Sequence, residues 1–266
     1  MFLDKLCKTN PNLIQIAVHM HQQKQIMPDT YVVDVDQFIA NAKAILQKAN
    51  EQNIELYYML KQIGRNPYLA MELEKVGYKG AVVVDFKEAE VMMKYHLHIA
   101  HAGHLVQIPS MMINQLVEYG CDYITVYSYE KLVEINEAAK KVGISQKICI
   151  RVIGENDRIY SGQTAGFYLD QLEELVQKSK DLKYIEIAGV DNFPCFLYDE
   201  VTKEIQAQEN LHTVLKAKKI LEGLGCRIQN VNAPSATCVH TLELMKQYPE
   251  ITSAEPGHGL SGTTPY

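Results

Sequence analysis

The amino-acid sequence predicts a (β/α)8 TIM-type barrel, an α/β fold in which eight parallel strands each lead into a helix. Short segments rich in Val, Ile and Tyr alternate with amphipathic helical segments along the chain. Glycines directly follow several helical segments, where a left-handed cap is favoured (Gly77, Gly120, Gly143 and Gly225). The length of 266 residues suits one barrel of this kind.

Each predicted strand is short and carries residues that suit a pleated surface. In chain order the strands are Tyr31–Val35, Glu55–Leu60, Gly80–Val84, His98–Ala102, Tyr123–Tyr127, Lys147–Val152, Ile185–Val190 and Arg227–Val231. The helices between them repeat apolar residues at helical spacing. They are Gln37–Asn50, Pro67–Val76, Lys87–Tyr95, Pro109–Tyr119, Glu130–Val142, Asp170–Lys180, Asn210–Leu224 and Cys238–Tyr248. An earlier helix, Asn12–Gln25, predicts a helical extension over residues 1–30 and a barrel over residues 31–266.

An open doubly wound sheet is the alternative fold. That fold should place a glycine-rich phosphate turn after its first strand, whereas here the chain reads Val33-Asp34-Val35-Asp36-Gln37. In a barrel the active site gathers at the C-terminal ends of the strands. The residues that follow each strand are therefore the candidates for function.

The composition argues against several classes of protein. The net charge is −6, and no cluster of Lys and Arg forms a nucleic-acid footprint. The six cysteines show no CxxC spacing, which indicates reduced thiols in a cytosolic protein. The N-terminus lacks a signal-peptide pattern, and no apolar stretch is long enough to span a bilayer. We expect a cytoplasmic protein with no nucleic-acid or membrane partner.

Lys61 ends an extended apolar run and is followed at once by the turn Gln62-Ile63-Gly64-Arg65-Asn66-Pro67. A strand that ends in a lysine before a turn and a helix can hold an amine at the mouth of an α/β fold. A partly desolvated amine becomes a nucleophile toward aldehydes. The alternative interpretation is an ordinary solvated lysine at a strand end.

Two later segments suit an anion. Ser235 lies where a helix N-cap belongs, so its hydroxyl and the amides after it suit a phosphate. Glycines at 257, 259 and 262 let backbone amides approach an anion closely. Glu255 beside such a loop requires a cation between them, and a protonated pyridine ring with a phosphate arm is one. A plain N-cap and simple turns are the alternatives.

Together, and in this order, these features resemble the alanine racemase N-terminal domain family. Its members are fold-type III barrels that use pyridoxal 5′-phosphate (PLP). The resemblance runs from Tyr31 to Pro265, and the YhfX-like branch of the family fits best. Its motifs here are Lys61-Gln-x-Gly-Arg-Asn-Pro, Gly103-His-Leu-Val-Gln-Ile-Pro, Asn192-Phe-Pro-Cys, Asn232-Ala-Pro-Ser-Ala-Thr and Glu255-Pro-Gly-His. Each motif is short, and their joint occurrence in order makes the resemblance specific.

The resemblance implies a role for each matching residue. Lys61 would be the Schiff-base lysine of a PLP-dependent enzyme that acts at Cα of an amino acid, most simply a racemase. Ser235 would bind the cofactor phosphate together with the backbone amides of Gly257 and His258. Glu255 would face the pyridine nitrogen.

Some positions depart from the alanine racemases. Those enzymes have arginine where this chain has Glu255, and a carboxylate favours a protonated ring that stabilises a Cα carbanion more fully. Arg65 replaces a phosphate-binding tyrosine and can contact a phosphate through two nitrogens. Asn192 replaces a histidine near the ring. His104 lies beyond a strand end, where we expect it to face the PLP pocket.

Racemases and decarboxylases of the family continue into a C-terminal β-domain, which in racemases supplies a tyrosine base from the partner subunit. This sequence ends at Tyr266, so we expect that β-domain to be absent. Racemisation by two bases needs a proton donor on each face of the cofactor, and Lys61 serves one face. The resemblance also implies a homodimer. A PLP-binding homeostasis protein without turnover, and a decarboxylase or aldolase, are the alternative functions.

A histidine cluster raises a metal-dependent hydrolase as a further interpretation. His96, His98, His101 and His104 lie within nine residues. His96 and His98 would lie on one face of a strand, and His101 on the other. No Asp, Glu or Cys with ligand spacing accompanies them, so we predict no metal site.

Overall fold

Eight parallel strands close into a barrel in this computed structural model, which describes residues 2–262. Residues 2–262 form eleven strands, eight of which make up the ring. They are β1 (Glu55–Tyr58), β2 (Gly80–Val83), β3 (Ile99–Ala102), β4 (Cys121–Val126), β5 (Gln146–Ile153), β6 (Phe167–Tyr168), β7 (Ile185–Asp191), β8 (Phe196–Asp199), β9 (Glu204–Ala207), β10 (Asn230–Asn232) and β11 (Ser253–Ala254). The ring order is β1-β2-β3-β4-β5-β7-β10-β11, and β11 pairs back onto β1. The predicted (β/α)8 barrel is confirmed.

Helices surround the ring and join its strands. They are α1 (Phe2–Thr9), α2 (Pro11–Gln22), α3 (Val35–Asn50), α4 (Pro67–Val76), α5 (Phe86–Lys94), α6 (Ser110–Tyr119), α7 (Tyr129–Val142), α8 (Leu172–Lys178), α9 (Glu209–Gly223), α10 (Val239–Met245) and α11 (His258–Ser261). Strands β8 and β9 form an antiparallel hairpin outside the ring, after β7. Within residues 2–262, no helix combines the length and the apolar character that crossing a bilayer requires.

The first predicted strand, Tyr31–Val35, is wrong. Residues 31–34 form no strand, and Val35 is the first residue of α3. The side chain of Asp34 accepts a hydrogen bond of 3.0 Å from the backbone N–H of Gln37, which is the contact of a helix N-cap. This cap begins the helix directly after a segment whose composition suits a strand.

The strand that completes the ring is instead β11, which has only two residues. Ser253 and Ala254 pair with Glu55 and Leu56 of β1 in parallel register. Two residues are too few to show the alternating pattern that predicts a strand, so this strand cannot be recognised from the residues alone. As a result, the turn with Ser235 follows the seventh strand of the ring, and Glu255 directly follows the eighth.

A chain of polar side chains runs through the interior of the barrel. Asn230 donates a hydrogen bond of 3.2 Å to the Tyr57 hydroxyl, and Ser253 donates one of 2.6 Å to Asn230 Oδ1. Ser253 also lies 3.4 Å from Asn232 Oδ1. All four side chains are buried. These contacts tie β1, β10 and β11 together just below the mouth of the barrel.

Gly189→Ala should lower the free energy of unfolding by about 1–3 kcal/mol, because the interior has no room for a methyl group at that point of β7. An added Cβ would lie 2.4 Å from Cys149 Sγ and 3.0 Å from the carbonyl oxygen of Asn230. Gly223→Ala in α9 is the matched control, since its Cβ would meet nothing within 4 Å. Urea denaturation should show G189A destabilised and G223A unchanged or more stable. Equal stability of the two variants would contradict this packing.

Candidate active site

Four ring strands bring buried charged or titratable side chains to the C-terminal mouth of the barrel. His101 belongs to β3, Arg151 to β5 and Asp191 to β7, and Glu255 directly follows β11. Their exposures are between 0% and 4%. Parallel strands of a closed barrel end at the same face, which is why residues far apart in sequence meet there.

Glu255 is held through one of its two carboxylate oxygens. Oε1 accepts a hydrogen bond of 2.6 Å from Asn232 Nδ2 and lies 3.0 Å from His101 Nδ1. Oε2 is buried and has no hydrogen-bond partner among the described residues. Burial alone would raise the pKa of Glu255, but the charge of His104 and the contacts with His101 and Asn232 outweigh it, so the pKa lies below its ordinary value.

His101 links Glu255 to a second buried carboxylate. Its Nε2 lies 2.6 Å from Thr125 Oγ1, and Thr125 donates a hydrogen bond of 2.5 Å to Asp191 Oδ2. Burial opposes a positive charge on His101, but the hydrogen bond and charge of Glu255, together with the charge of Asp191, raise its pKa. Burial likewise opposes ionisation of Asp191, but the nearby His104, whose Nδ1 lies 3.9 Å from Asp191 Oδ2, and the charges of His101 and Arg151 lower its pKa.

Several buried polar atoms at the mouth have no hydrogen-bond partner in the part of the chain that the structure describes. They are both ring nitrogens of His104, Nε and Nη1 of Arg151, Asp191 Oδ1 and Glu255 Oε2. His104 Nε2 lies 3.5 Å from Glu255 Oε2, and Arg151 Nη1 lies 4.0 Å from Asp191 Oδ1. Leaving such atoms unpaired is costly, so a set of them around one point indicates a polar ligand.

Lys61 follows β1 and opens a short 3-10 helix, Lys61–Ile63. Its side chain is exposed and makes no hydrogen bond or ion pair with residues 2–262. Burial raises the pKa of Glu88, and the positive charge of Lys61 partly opposes this rise. Burial lowers the pKa of His258, and the charge of Lys61 lowers it further. The ammonium group therefore lies at the mouth, near both α5 and the loop of residues 257–262, called the glycine loop after Gly257, Gly259 and Gly262.

The Ser235 turn and the glycine loop lie against each other. Ser235 and Ala236 have positive φ angles of 90° and 51°, conformations that non-glycine residues rarely adopt outside functional sites. A Cβ on Gly259 would lie 2.6 Å from the carbonyl oxygen of Thr237, and one on Gly257 would lie 2.4 Å from Gln62 Nε2. The glycines thus allow the loop to touch both the Ser235 turn and the segment that carries Lys61.

Ser235 is not the helix N-cap that the sequence analysis expected. Helix α10 begins only at Val239, and Cys238 occupies the N-cap position. The left-handed backbone at Ser235 and Ala236 instead forms a turn that ends before the helix. The buried Thr237 Oγ1 in the same turn has no hydrogen-bond partner among the described residues.

Arg65 and Asn192 lie in other networks. Arg65 donates a hydrogen bond of 3.1 Å to Asp85, and its Nε lies 3.9 Å from Glu88. Asn192 donates one of 2.5 Å to Asp157 and accepts one of 3.2 Å from Asn210. The structure therefore brings Lys61, Ser235, Glu255 and the glycine loop to one mouth, while these two side chains are bonded elsewhere.

Sequence reasoning missed part of the site. It excluded acidic partners for the histidines, yet Asp191 from β7 joins His101 and His104 in a group whose ligand atoms all lie within 4.8 Å of one another. It also gave no role to Thr125, and it named Asn232 only as the first residue of a motif. Both residues lie at or near the C-terminal end of a ring strand, which is a further signal of a place in the site.

The fold and this mouth define a (β/α)8 barrel with a polar ligand site at the usual active-site face. The sequence profile of the alanine racemase N-terminal domain matches residues 33–265. The chain is 44% identical over 265 residues to the uncharacterized protein YhfX of Escherichia coli (strain K12), covering 100% of this chain and 68% of that protein. The chain belongs to the alanine racemase N-terminal domain family, as the sequence motifs predicted.

Solved structures with a similar fold include several enzymes. Diaminopimelate decarboxylase from Helicobacter pylori, complexed with L-lysine, superposes with a TM-score of 0.71 at 16% identity, covering 91% of this chain and 66% of that one. D-threo-3-hydroxyaspartate dehydratase from Delftia sp. HT23 gives 0.66 at 16% identity, with 88% and 61% covered. D-threonine aldolase from Filomicrobium marinum gives 0.60 at 16% identity, with 86% and 61% covered. The chain spans about two thirds or less of each.

The protein should lose stability as the pH rises above about 6.5, the ordinary pKa of histidine. The pKa of His101 is raised in the folded state, so its contribution is complete below that pH and is lost as the pH rises through the folded pKa. His98, which pairs with Asp122 at 2.9 Å, acts in the same direction. Chemical denaturation from pH 6 to 9 should show this loss in wild type and in His98→Gln. A flat profile in H98Q would contradict it.

Proposed function

We propose that this barrel binds PLP at its mouth and catalyses a reaction at Cα of an amino acid, with Lys61 as the Schiff-base lysine and racemisation as the leading reaction. The proposal rests on the residues at the mouth together with membership of the alanine racemase N-terminal domain family. A small-molecule amino acid is the proposed substrate, and residues 31–266 are the proposed PLP-binding unit.

The single observation that carries the proposal is the unequal hydrogen bonding of the two carboxylate oxygens of Glu255. Its Oε1 is saturated by Asn232 and His101, while its buried Oε2 has no partner among the described residues. A buried carboxylate oxygen in this state needs a hydrogen-bond donor, preferably a charged one. The N–H of a protonated pyridine is such a donor, so the residues present fit the ring of PLP.

The phosphate would lie between the Ser235 turn and the loop of Gly257 and His258. Because Gly257 and Gly259 have no side chain, this loop can approach its neighbours closely. The buried Thr237 hydroxyl, which has no hydrogen-bond partner among the described residues, adds a donor. Gln62 touches the same loop, so the phosphate arm and Lys61 would stand side by side. Arg65 already binds Asp85 and is therefore a weaker phosphate ligand than its position in the sequence suggested.

When bound, PLP supplies an electron sink for a negative charge that develops at Cα. Glu255 would accept the hydrogen bond of the ring nitrogen and thereby hold its proton in place. Lys61, which has no hydrogen bond or ion pair with residues 2–262, would bond to the cofactor and then take or return a proton on one face of Cα. Arg151, buried with two unpartnered nitrogens, is better placed than Arg65 to bind an anionic oxygen of the cofactor or substrate.

Decarboxylase or aldolase chemistry is the second candidate. The observation that favours it is the acidic residue at position 255, because a protonated ring stabilises charge at Cα whichever bond breaks. The folds of diaminopimelate decarboxylase and D-threonine aldolase are also similar to this one. The same site would then act on a different bond of the amino acid.

Borohydride reduction of the PLP-loaded protein, followed by peptide mapping, should place the cofactor on Lys61. Lys61→Ala should lose both the label and the visible absorbance that a bond between PLP and a lysine gives. Lys79→Ala is the control, because Lys79 precedes β2 at the opposite end of the barrel. Label on another lysine, or none in PLP-saturated protein, would overturn the proposal.

Solvent deuterium exchange at Cα, measured by NMR across a panel of L- and D-amino acids, should separate the proposed functions. A racemase-like enzyme incorporates deuterium and yields both enantiomers, whereas a decarboxylase releases CO2. A PLP-binding protein without turnover gives neither product. Metal analysis of the same sample tests the hydrolase interpretation, for which the group of His101, His104 and Asp191 would have to carry stoichiometric metal.

A further inference from the structure

We infer that His101 is a positioning residue, a buried imidazolium that keeps Glu255 as an acceptor-only carboxylate and so fixes the proton on the cofactor ring nitrogen. The inference rests on the proposed PLP site. It concerns a contact between β3 and the residue after β11, in which His101 is fully buried and acts through Glu255.

The protons of the contact can be assigned from hydrogen-bond geometry. Asp191 Oδ2 accepts from the Thr125 hydroxyl at 2.5 Å, which uses the single proton of that hydroxyl. Thr125 Oγ1 must therefore accept from His101 Nε2 at 2.6 Å, so Nε2 carries a proton. The tautomer of His101 is thus set by Asp191, through Thr125.

The other ring nitrogen then shares a proton with Glu255. His101 Nδ1 and Glu255 Oε1 lie 3.0 Å apart, and two lone pairs would repel at that distance. One proton must lie between them, either as imidazolium with carboxylate or as imidazole with carboxylic acid. Asn232 also donates to Glu255 Oε1, at 2.6 Å, which favours the carboxylate.

The surrounding charges favour the same state. Asp191 Oδ2 lies 3.6 Å from His101 Nε2, so the ring stands between two carboxylates. Arg151 lies on the far side of Asp191, at 4.0 Å. The other groups that face His101 are Asn232 Nδ2, 3.3 Å from Nδ1, the ring of His104, with centroids 5.5 Å apart, and the Tyr57 ring at 6.3 Å.

This arrangement decides what Glu255 can offer to a ligand. With Oε1 already bonded, Oε2 is the oxygen that has no hydrogen-bond partner within residues 2–262, and an ionised carboxylate has lone pairs but no proton to donate. If the positive charge of His101 were removed, Glu255 would hold a proton more strongly. The proton between Oε2 and a ring nitrogen would then shift from the nitrogen toward the carboxylate.

The test is the ring-nitrogen resonance of 15N-labelled PLP bound to the protein at pH 7.5. We expect the protonated-pyridine position in wild type and in His98→Gln, and a shift toward the unprotonated position in His101→Gln. His98 is the matched control, since it is on the same segment in an exposed pair with Asp122. An unchanged resonance in H101Q would overturn the inference while the proposed function stood. If wild type formed no bond to PLP, the proposed function would fail instead.

A second measurement needs no variant and no cofactor. In wild-type protein with 15N-labelled histidine rings, His101 and His104 are the two histidines that are buried among the nine of the chain. The expected result is that the ring of His101 has both nitrogens protonated, exchanges slowly and retains its signal above pH 7.5. If the ring of His101 were neutral at that pH, the inference would be wrong even if H101Q failed to fold.

Discussion

The contact between His101 and Glu255 is the interaction on which the mouth of this barrel depends. It joins residues 154 positions apart in sequence, across the seam where β11 closes onto β1. A lone carboxylate or a lone imidazolium would be costly in so dry a place, whereas here the two groups face each other, and Asn232 and Thr125 add hydrogen bonds at Glu255 Oε1 and His101 Nε2. The position of β11 is therefore a condition for the proposed chemistry, since a shift of this strand would separate Glu255 from His101 and Asn232.

The two halves of the proposed site differ in character. The half around Glu255 is buried and linked by side-chain hydrogen bonds, and several of its polar atoms have no partner among the described residues. The half around Lys61 consists of turns whose shape depends on backbone conformation, with left-handed residues at Gly64, Arg65, Ser235 and Ala236. This division suits the proposed cofactor, whose ring nitrogen would bond to one buried carboxylate and whose phosphate would bond to backbone amides of turns.

The repeating pattern of short apolar strands and amphipathic helices was enough to predict the barrel, because its signal is spread over the whole chain. It failed at the seam, where Asp34 begins a helix after a strand-like segment and where the closing strand has two residues. Motif spacing led to Lys61, Ser235, Glu255 and the glycine loop. The pattern could not reveal that Arg65 binds Asp85 or that Asn192 binds Asp157, because such pairs depend on three-dimensional neighbours. For the same reason, the Thr125–His101 link was invisible in the sequence.

The close contact between Gly257 and Gln62 has a mechanical consequence. Gln62 follows Lys61 directly, and Met59 donates a backbone hydrogen bond of 3.0 Å to the carbonyl oxygen of Pro256. The segment from Met59 to Gln62 is thus in contact with residues 256–257 on both sides of Lys61. In the proposed reaction, any movement of the lysine amine between cofactor and substrate would therefore either be confined to its own side chain or carry the glycine loop with it.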